Sequence, residues 1–205
     1  RDFIINLTAM PTAKNEKQRF DKILKRVKTL GNMQNIDINY TTLVIKIIDQ
    51  LYDGINTTLI DELTAEQSAS MSSIHPDYTK LASAIVISNL HKKTNAKFSS
   101  VMNELYNFRD VNNIHSPLLS KNYIQVVNEY ADYFDDLIVH ERDYLIDFFG
   151  FKTLERAYLM KIHSKIVERP QYMWLRVAIG IHMDNLEMVK ETYNLLSEKY
   201  FTHAT

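Results

Sequence analysis

Residues 75–93 read HPDYTKLASAIVISNLHKK, and this stretch decides the fold class of the chain. Proline is tolerated in the first turn of a helix, and an acidic residue there is favoured by the helix dipole, so His75-Pro76-Asp77 predicts a helix start. The cationic pair Lys92-Lys93 suits a helix end. Between them, apolar residues recur at helical spacing and are expected to face a core: Leu81, Ala82, Ile85, Val86 and Leu90.

Three more helices are predicted upstream, so that residues 20–94 form a four-helix unit with short loops. The first begins near Asp21 and stops at Gly31. The second covers residues 41–53, and the third follows Thr57 as its N-cap. The outer face of the first helix carries cations that we expect to be solvated: Lys22, Lys25, Arg26 and Lys28.

The rest of the chain is also predicted to be mainly helical, because it contains only four Gly and four Pro in 205 residues. Weak alternation at Phe3, Ile5 and Leu7 indicates one strand, and the polar stretch 12–19 indicates a turn and a second strand. Downstream elements are predicted in this order: helices at 99–108, 120–134 and 153–160, a β-hairpin at 160–167, and helices at 170–182 and 184–200. A boundary near residue 100 gives two predicted domains, 1–100 and 101–205.

Composition excludes several classes of function. With 24 Lys and Arg against 25 Asp and Glu, the chain has no overall positive charge to bind nucleic acid. It has no cysteine, so disulfides, thiolate zinc sites and a cysteine nucleophile are excluded. Its four glycines are scattered, which excludes a P-loop and a dinucleotide fingerprint. No apolar run approaches the ~20 residues of a membrane span, and residues 1–10 do not resemble a signal peptide, so we expect a cytoplasmic location without membrane contact.

Neither a metal site nor a catalytic residue is predicted. The dense segment His140-Glu141-Arg142-Asp143 lacks a second histidine at metal-ligand spacing, and no Gly-x-Ser-x-Gly motif supports a catalytic triad. Aromatic residues crowd one region, and we interpret them as core because the near-zero net charge disfavours a base-stacking platform. They are Tyr130, Tyr133, Phe134, Tyr144, Phe148, Phe149 and Phe151.

Five polar residues lie at the ends of helices in the four-helix unit: Glu16, Lys22, Thr57, Asp61 and Lys92. Thr57 and Asp61 are one turn apart on one helix face, and Asp61 is expected to be exposed. Phosphate is bound by helix N–H groups, hydroxyls and lysine, whereas a ribose hydroxyl is bound by a carboxylate. On spacing alone, however, helix capping and solvated charge explain the set better than a ligand does.

Seven ordered blocks of sequence resemble the N-terminal part of the large subunit of class I ribonucleotide reductase, eukaryotic type. The blocks are Arg19–Ile23, Tyr52–Ile55, His75–Tyr78, Ser88–Lys92, Phe149–Arg156, Glu168–Gln171 and Phe201–Ala204, within a match over about residues 14–205. The resemblance implies an ATP-cone up to about residue 100, which is a four-helix bundle with a small β-cap. It implies that the remainder is the helical region preceding the family's ten-stranded α/β barrel, and we therefore expect the chain to be a fragment.

The family reduces ribonucleoside diphosphates to deoxyribonucleoside diphosphates for DNA synthesis, through cysteines that lie downstream of the resembling region. The cysteine-free chain is thus expected to be inactive alone. In the family, ATP at the cone activates and dATP inhibits by altering large-subunit self-association, and the partner is a small radical-generating subunit that would contact regions absent here. No cofactor is implied for this fragment beyond these two effectors.

The resemblance also assigns roles to individual residues. By matching position, Glu16 and Lys22 would lie at the base of the effector, Asp61 at its ribose, and Thr57 and Lys92 at its phosphates. Thr205 matches a hydroxyl residue that contacts the substrate diphosphate.

One departure from the family pattern concerns the first strand, which in the family ends in a phosphate-binding Lys-Arg-Asp-Gly turn. Counted back from Phe20, those positions hold Met10, Pro11, Thr12 and Ala13. Two other interpretations remain: a stand-alone nucleotide-sensing module that regulates another protein, and a helical interaction scaffold without a ligand. The parent sequence beyond Thr205 would separate them, since a cysteine-bearing barrel supports only the reductase.

Overall fold

The computed structural model describes residues 13–52 and 55–200, with side chains from Lys17 onward. Over these residues the chain is mainly helical, as predicted. The first four helices are α1 Ala13–Met33, α2 Tyr40–Ile48, α3 Thr57–Ser70 and α4 Asp77–Lys93. The later ones are α5 Phe98–Tyr106, α6 Lys121–Glu129, α7 Ala131–Leu137, α8 Phe148–Ala157, α9 Pro170–His182 and α10 Leu186–Ser197. A 3₁₀ helix covers His140–Leu145, and β1 Lys161–Ile162 pairs with β2 Lys165–Ile166.

The described residues form two compact units. The first lies within Arg1–Asn89 and Asp147–Phe151, and the second within Leu90–Ile146 and Lys152–Thr205. Assignment of residues 1–100 and 101–205 as functional domains stays a prediction. No helix among the described residues is both long enough and apolar enough to cross a membrane.

The core of the first unit confirms the apolar pattern predicted for residues 75–93. Helix α2 packs against α1 and α3. The buried side chains include Val27, Leu43, Val44, Ile47, Leu81 and Ile85. Burial of one such side chain stabilises the fold by about 1.5–3 kcal/mol, so these positions account for much of the stability of the unit.

The start of α4 is fixed by a charged side chain at the predicted position. Asp77 accepts the backbone N–H of Asp37 at 3.3 Å, and one of its oxygens lies 2.7 Å from the Lys80 ammonium. These contacts, the Lys80 hydrogen bond foremost, lower the pKa of Asp77 below its ordinary value. A carboxyl with a depressed pKa contributes stability that is present at neutral pH and is lost as the pH falls through that pKa.

Helix α1 corrects the prediction of a turn and a second strand at residues 12–19, because the helix begins at Ala13. The segment from Lys14 to Arg19 contains no β-branched or aromatic residue and is rich in strong helix formers, so its local preference favours helix. The strand predicted at Phe3, Ile5 and Leu7 lies outside the described residues.

Gly31 does not end α1 as predicted. The helix continues to Met33, and Asn35 takes the left-handed conformation (φ 52°) that closes it. The backbone N–H of Ile36 donates to the carbonyl of Gly31 at 2.9 Å, which is the hydrogen bond of a Schellman motif. Gly31 is needed for another reason: a Cβ there would collide with the ring of Tyr40.

The N-cap of α3 is Asn56 rather than the predicted Thr57, which is the first helical residue. The Asn56 side chain accepts the backbone N–H of Leu59 at 2.7 Å. We expect Asn56→Ala to lower the free energy of unfolding by about 1 kcal/mol, and Thr57→Ala to change it little. Chemical unfolding followed by far-UV circular dichroism measures both, and a larger loss for Thr57→Ala would contradict the assignment of the cap.

In the second unit, α9 packs against α10, and α5 packs against α6 and α7. The aromatic core prediction holds for Phe134, which is fully buried and makes edge-to-face contacts with Phe98 and Tyr130. It is wrong for Tyr133, which is exposed, and for Phe149 of the first unit, which is largely exposed. The single helix predicted over residues 120–134 is two helices, α6 and α7, that are separated at Tyr130.

Local signals explain the remaining boundaries. The predicted hairpin and α9 are confirmed, and His163 and Ser164 form the hairpin turn with positive φ of 47° and 66°, as a type I′ turn requires. Helix α8 begins at Phe148, upstream of the predicted Thr153. The side chain of Asp147 accepts the backbone N–H of Gly150 at 2.6 Å, so Asp147 caps this helix.

Candidate functional site

Asp61 lies in a cluster of three polar side chains in the first unit. Its two carboxylate oxygens accept hydrogen bonds from Arg26, one from Nε at 2.5 Å and one from Nη2 at 2.7 Å. The same Nη2 donates to the amide oxygen of Asn89 at 2.8 Å. Because these residues come from α1, α3 and α4, the Arg26–Asp61–Asn89 cluster links three helices of the unit.

The cluster is partly shielded from water. The Asp61 side chain is 13% exposed and that of Arg26 is 30% exposed. A bidentate arginine–carboxylate pair has a defined geometry. Because this pair is partly shielded, water and salt screen it less than a fully exposed pair. The predictions of an exposed Asp61 and a solvated Arg26 are therefore wrong.

Arg26 and Asn89 are members of this cluster that the sequence analysis did not assign to the site. A signal for Arg26 was available in the spacing. It lies three residues after the buried Ile23 and four before the buried Leu30, which places it on the core-facing stripe of α1. Asn89 lies in the Ser88–Lys92 block, but no local pattern there indicates its partner.

The other predicted site residues occupy different environments. Lys22 and Thr57 are exposed, and each lies one turn before a member of the cluster, on α1 and α3 respectively. Lys92 is exposed near the end of α4. Glu16 lies in α1, but its side chain is not among those described, and Thr205 lies outside the described residues. The structure thus brings Asp61 into a defined cluster. That the five predicted effector residues form one site stays a prediction.

The helix α3 offers two kinds of hydrogen-bonding group on one face. The Thr57 hydroxyl lies at its first residue, where backbone N–H groups and the helix dipole favour an anion. One turn later, Asp61 offers carboxylate lone pairs, which suit a donor such as a sugar hydroxyl. This order of groups along α3 can accommodate a ligand with an anionic end and a hydroxyl-bearing part.

A second polar group of residues is buried in the second unit. Glu168 is fully buried and accepts hydrogen bonds from Arg176 Nε at 2.6 Å, from Arg176 Nη2 at 3.1 Å and from the backbone of Met160 at 3.0 Å. Burial alone would lower the pKa of Arg176, but the hydrogen bond and charge of Glu168 raise it above the ordinary value. The guanidinium of Arg176 therefore keeps its charge inside the fold.

Arg169 and Asp143 extend this buried group around the start of α9. Arg169 donates to the Thr94 hydroxyl at 2.9 Å and to the His91 carbonyl at 3.1 Å. Asp143 accepts the backbone N–H of Gln171 at 3.0 Å, and its other oxygen lies 2.6 Å from His91 Nε2. These contacts satisfy the charged groups of Arg169 and Asp143 within the unit. The two side chains therefore hold α9 in place.

His140 also contacts this group, with its Nδ1 3.2 Å from Nη1 of Arg169. Burial, followed by the positive charge of Arg169, lowers the pKa of His140. The ring is therefore neutral at physiological pH, which allows Nδ1 to accept the guanidinium hydrogen bond. Within the part of the chain that the structure describes, no group of three or more His, Asp or Glu side chains could hold a metal ion.

Comparison with known proteins finds one matching family model and several similar proteins. Residues 144–205 match the family model described as ribonucleotide reductase, all-alpha domain. The chain is 48% identical over 192 residues to the ribonucleoside-diphosphate reductase large subunit of Variola virus. It is 47% identical over 188 residues to that of Danio rerio, and 46% over 194 residues to that of Caenorhabditis elegans.

These alignments cover 93%, 91% and 94% of this chain, but only 25%, 24% and 25% of the three relatives. The chain thus spans about a quarter of the length of the curated relatives it matches. The resemblance drawn from the ordered sequence blocks is confirmed. Along nearly its whole length, the chain is a homologue of part of the ribonucleoside-diphosphate reductase large subunit.

Proposed function

We propose that this chain is part of an enzyme that reduces ribonucleoside diphosphates to deoxyribonucleoside diphosphates, and that its first unit binds ATP or dATP as allosteric effectors. The names of its relatives support the reaction. The placement of Thr57 and Asp61 on one face of α3 is the observation that carries the effector site. In this proposal α1 to α4 form the helical part of an ATP-cone.

In this proposal the predicted residues contact different parts of the bound nucleotides. Thr57, at the amino end of α3, contacts the phosphates together with Lys92. Asp61 accepts a hydrogen bond from a ribose hydroxyl. Glu16 and Lys22, both on α1, contact the base. Thr205 contacts the substrate diphosphate, which belongs to the reaction rather than to the effector.

The proposal extends to the whole protein. The chain has no cysteine, so the radical-bearing and reducing thiols of the reaction would come from the part of the large subunit outside it. The effectors would act by changing self-association of the large subunit. A small subunit would supply the radical, and the assembled enzyme would work in the cytoplasm in support of DNA replication.

Asp61→Asn tests the effector site. Asparagine keeps the shape of the side chain but replaces a charged acceptor, whose hydrogen bonds are worth about 1.5–3 kcal/mol. We expect ATP and dATP to bind about tenfold more weakly, as measured by titration calorimetry on the 205-residue chain.

Glu62→Gln is the matched control for this test. Glu62 is the next residue on α3 and is exposed, so the variant removes the same charge without touching the cluster. It should bind both nucleotides as the parent does, and circular dichroism should show all three proteins equally helical. A parent chain that binds neither nucleotide would overturn the proposed effector site.

A further inference from the structure

The carboxylate of Asp61 presents an electrostatic problem for the proposed ligand. A nucleoside triphosphate carries several negative charges, and a bare carboxylate beside it repels all of them. The repulsion is stronger in a partly shielded position, and the Asp61 side chain is only 13% exposed. A site that uses this carboxylate for a hydroxyl group therefore needs a fixed positive charge to compensate it.

Arg26 supplies this positive charge in the observed structure. Its guanidinium contacts both oxygens of Asp61, and Asn89 holds the same Nη2 from a third helix. A carboxylate has about four lone-pair positions, of which Arg26 uses two, so Asp61 retains acceptors for a ligand. Lys25 and Lys28, two other cations of α1, are exposed.

We propose that Arg26 is a positioning residue of the effector site: it neutralises and orients Asp61, so that this carboxylate can accept a sugar hydroxyl close to an anionic phosphate chain. This inference rests on the proposed function. It assigns Arg26 no contact with the nucleotide. The benefit that Arg26 gives to binding should therefore grow with the number of phosphates on the ligand.

The test measures dissociation constants for dAMP, dADP and dATP with four variants of the 205-residue chain. Arg26→Gln removes the compensating charge but can still donate a hydrogen bond to Asp61. Its dissociation constant relative to the parent should rise along the series, to roughly three- to thirtyfold for dATP at low salt, and the effect should shrink as salt is added. Arg26→Lys keeps the charge and should bind nearly as the parent does. Lys25→Gln removes an exposed charge from the next position and should show little change.

Asp61→Asn should show the opposite trend. It removes the acceptor for the hydroxyl but frees the charge of Arg26 to attract phosphate. The loss of affinity in this variant should therefore be greatest for dAMP and smallest for dATP. This variant keeps the test decisive if Arg26→Gln does not fold.

Each contrary outcome has a distinct meaning. If Arg26→Gln lowered the affinity equally for all three ligands, charge compensation would be overturned, because Arg26 would then act on the shape of the site alone. Tighter binding would overturn it too, by showing that the ion pair competes with the ligand. Unchanged binding by Asp61→Asn together with weaker binding by Arg26→Gln would overturn the role of Asp61. A parent that binds none of the three ligands would overturn both this inference and the proposed effector site.

Discussion

Glu168→Gln is expected to lower the free energy of unfolding of the second unit by about 3–5 kcal/mol. Glu168 is fully buried and accepts two hydrogen bonds from Arg176. Glutamine has nearly the same shape, so the variant creates no cavity. It leaves the guanidinium of Arg176 inside the fold without a counter-charge, and breaking a buried pair on one side is much more costly than removing both partners.

The sequence provides a probe for this measurement. Trp174 is the only tryptophan of the chain, and it lies in α9 of the second unit with 8% of its surface exposed. Its fluorescence therefore reports unfolding of that unit. Since urea slopes for small proteins are about 1–3 kcal/mol/M, the midpoint of the transition should fall by more than about 1 M.

Glu155→Gln is the matched control, because it makes the same change in the exposed Lys152–Glu155 pair of the same unit. Exposed pairs contribute about 0–1 kcal/mol, so its midpoint should scarcely move. A double variant of Glu168→Gln with Arg176→Met should be less destabilised than the sum of the two single variants. Equal midpoints for Glu168→Gln and Glu155→Gln would show that the buried pair does not stabilise the unit.

The sequence predicts those elements whose signals are local. Pro76 and Asp77 mark the start of α4, alternation marks the hairpin, and Pro170 marks the start of α9. Each signal acts within a few residues of the element it defines, and the structure confirms all three. Gly31 shows the limit of such signals, since its role depends on the ring of Tyr40 rather than on the end of α1.

The polar clusters could not be predicted in the same way, because their partners are distant in the chain. Arg26 meets Asp61 and Asn89 only when three helices pack together. Asp143 and Glu168 are ionisable residues in polar surroundings, and a local pattern cannot distinguish such residues from solvated ones. Their burial depends on His91, Gln171 and Arg176, which the fold brings to them.

The polar clusters also affect how the family resemblance is interpreted. Two of the blocks that carry it, Ser88–Lys92 and Glu168–Gln171, supply residues of the buried and partly buried polar clusters. The contacts of the second block hold α9 in place without any ligand, whereas the first block also supplies Asn89 and Lys92 to the proposed effector site. The proposed effector site also depends on exposed residues such as Lys22 and Thr57, which the fold does not need, so it needs an experiment of its own.

Restoring the family's turn should tighten dATP binding by about tenfold to a hundredfold. The variant carries Met10→Lys, Pro11→Arg, Thr12→Asp and Ala13→Gly. The new lysine adds a charge-assisted contact to the triphosphate, and replacing Pro11 supplies a backbone N–H that proline lacks. Asp-Gly also favours a hairpin turn, whereas the present sequence lets α1 begin at Ala13.

A variant with the same four residues in reverse order, Gly-Asp-Arg-Lys at positions 10–13, separates the turn from its charge. Calorimetry at several salt concentrations should show tighter and more salt-sensitive binding for the restored turn than for the reversed one, since only the former places its cations before an Asp-Gly turn. Equal tightening by both variants would mean that net charge alone accounts for the gain. If neither variant bound better than the parent, the alignment of these first residues with the family would be wrong, and the phosphate-binding cation would have to be sought at Lys14 or Lys17.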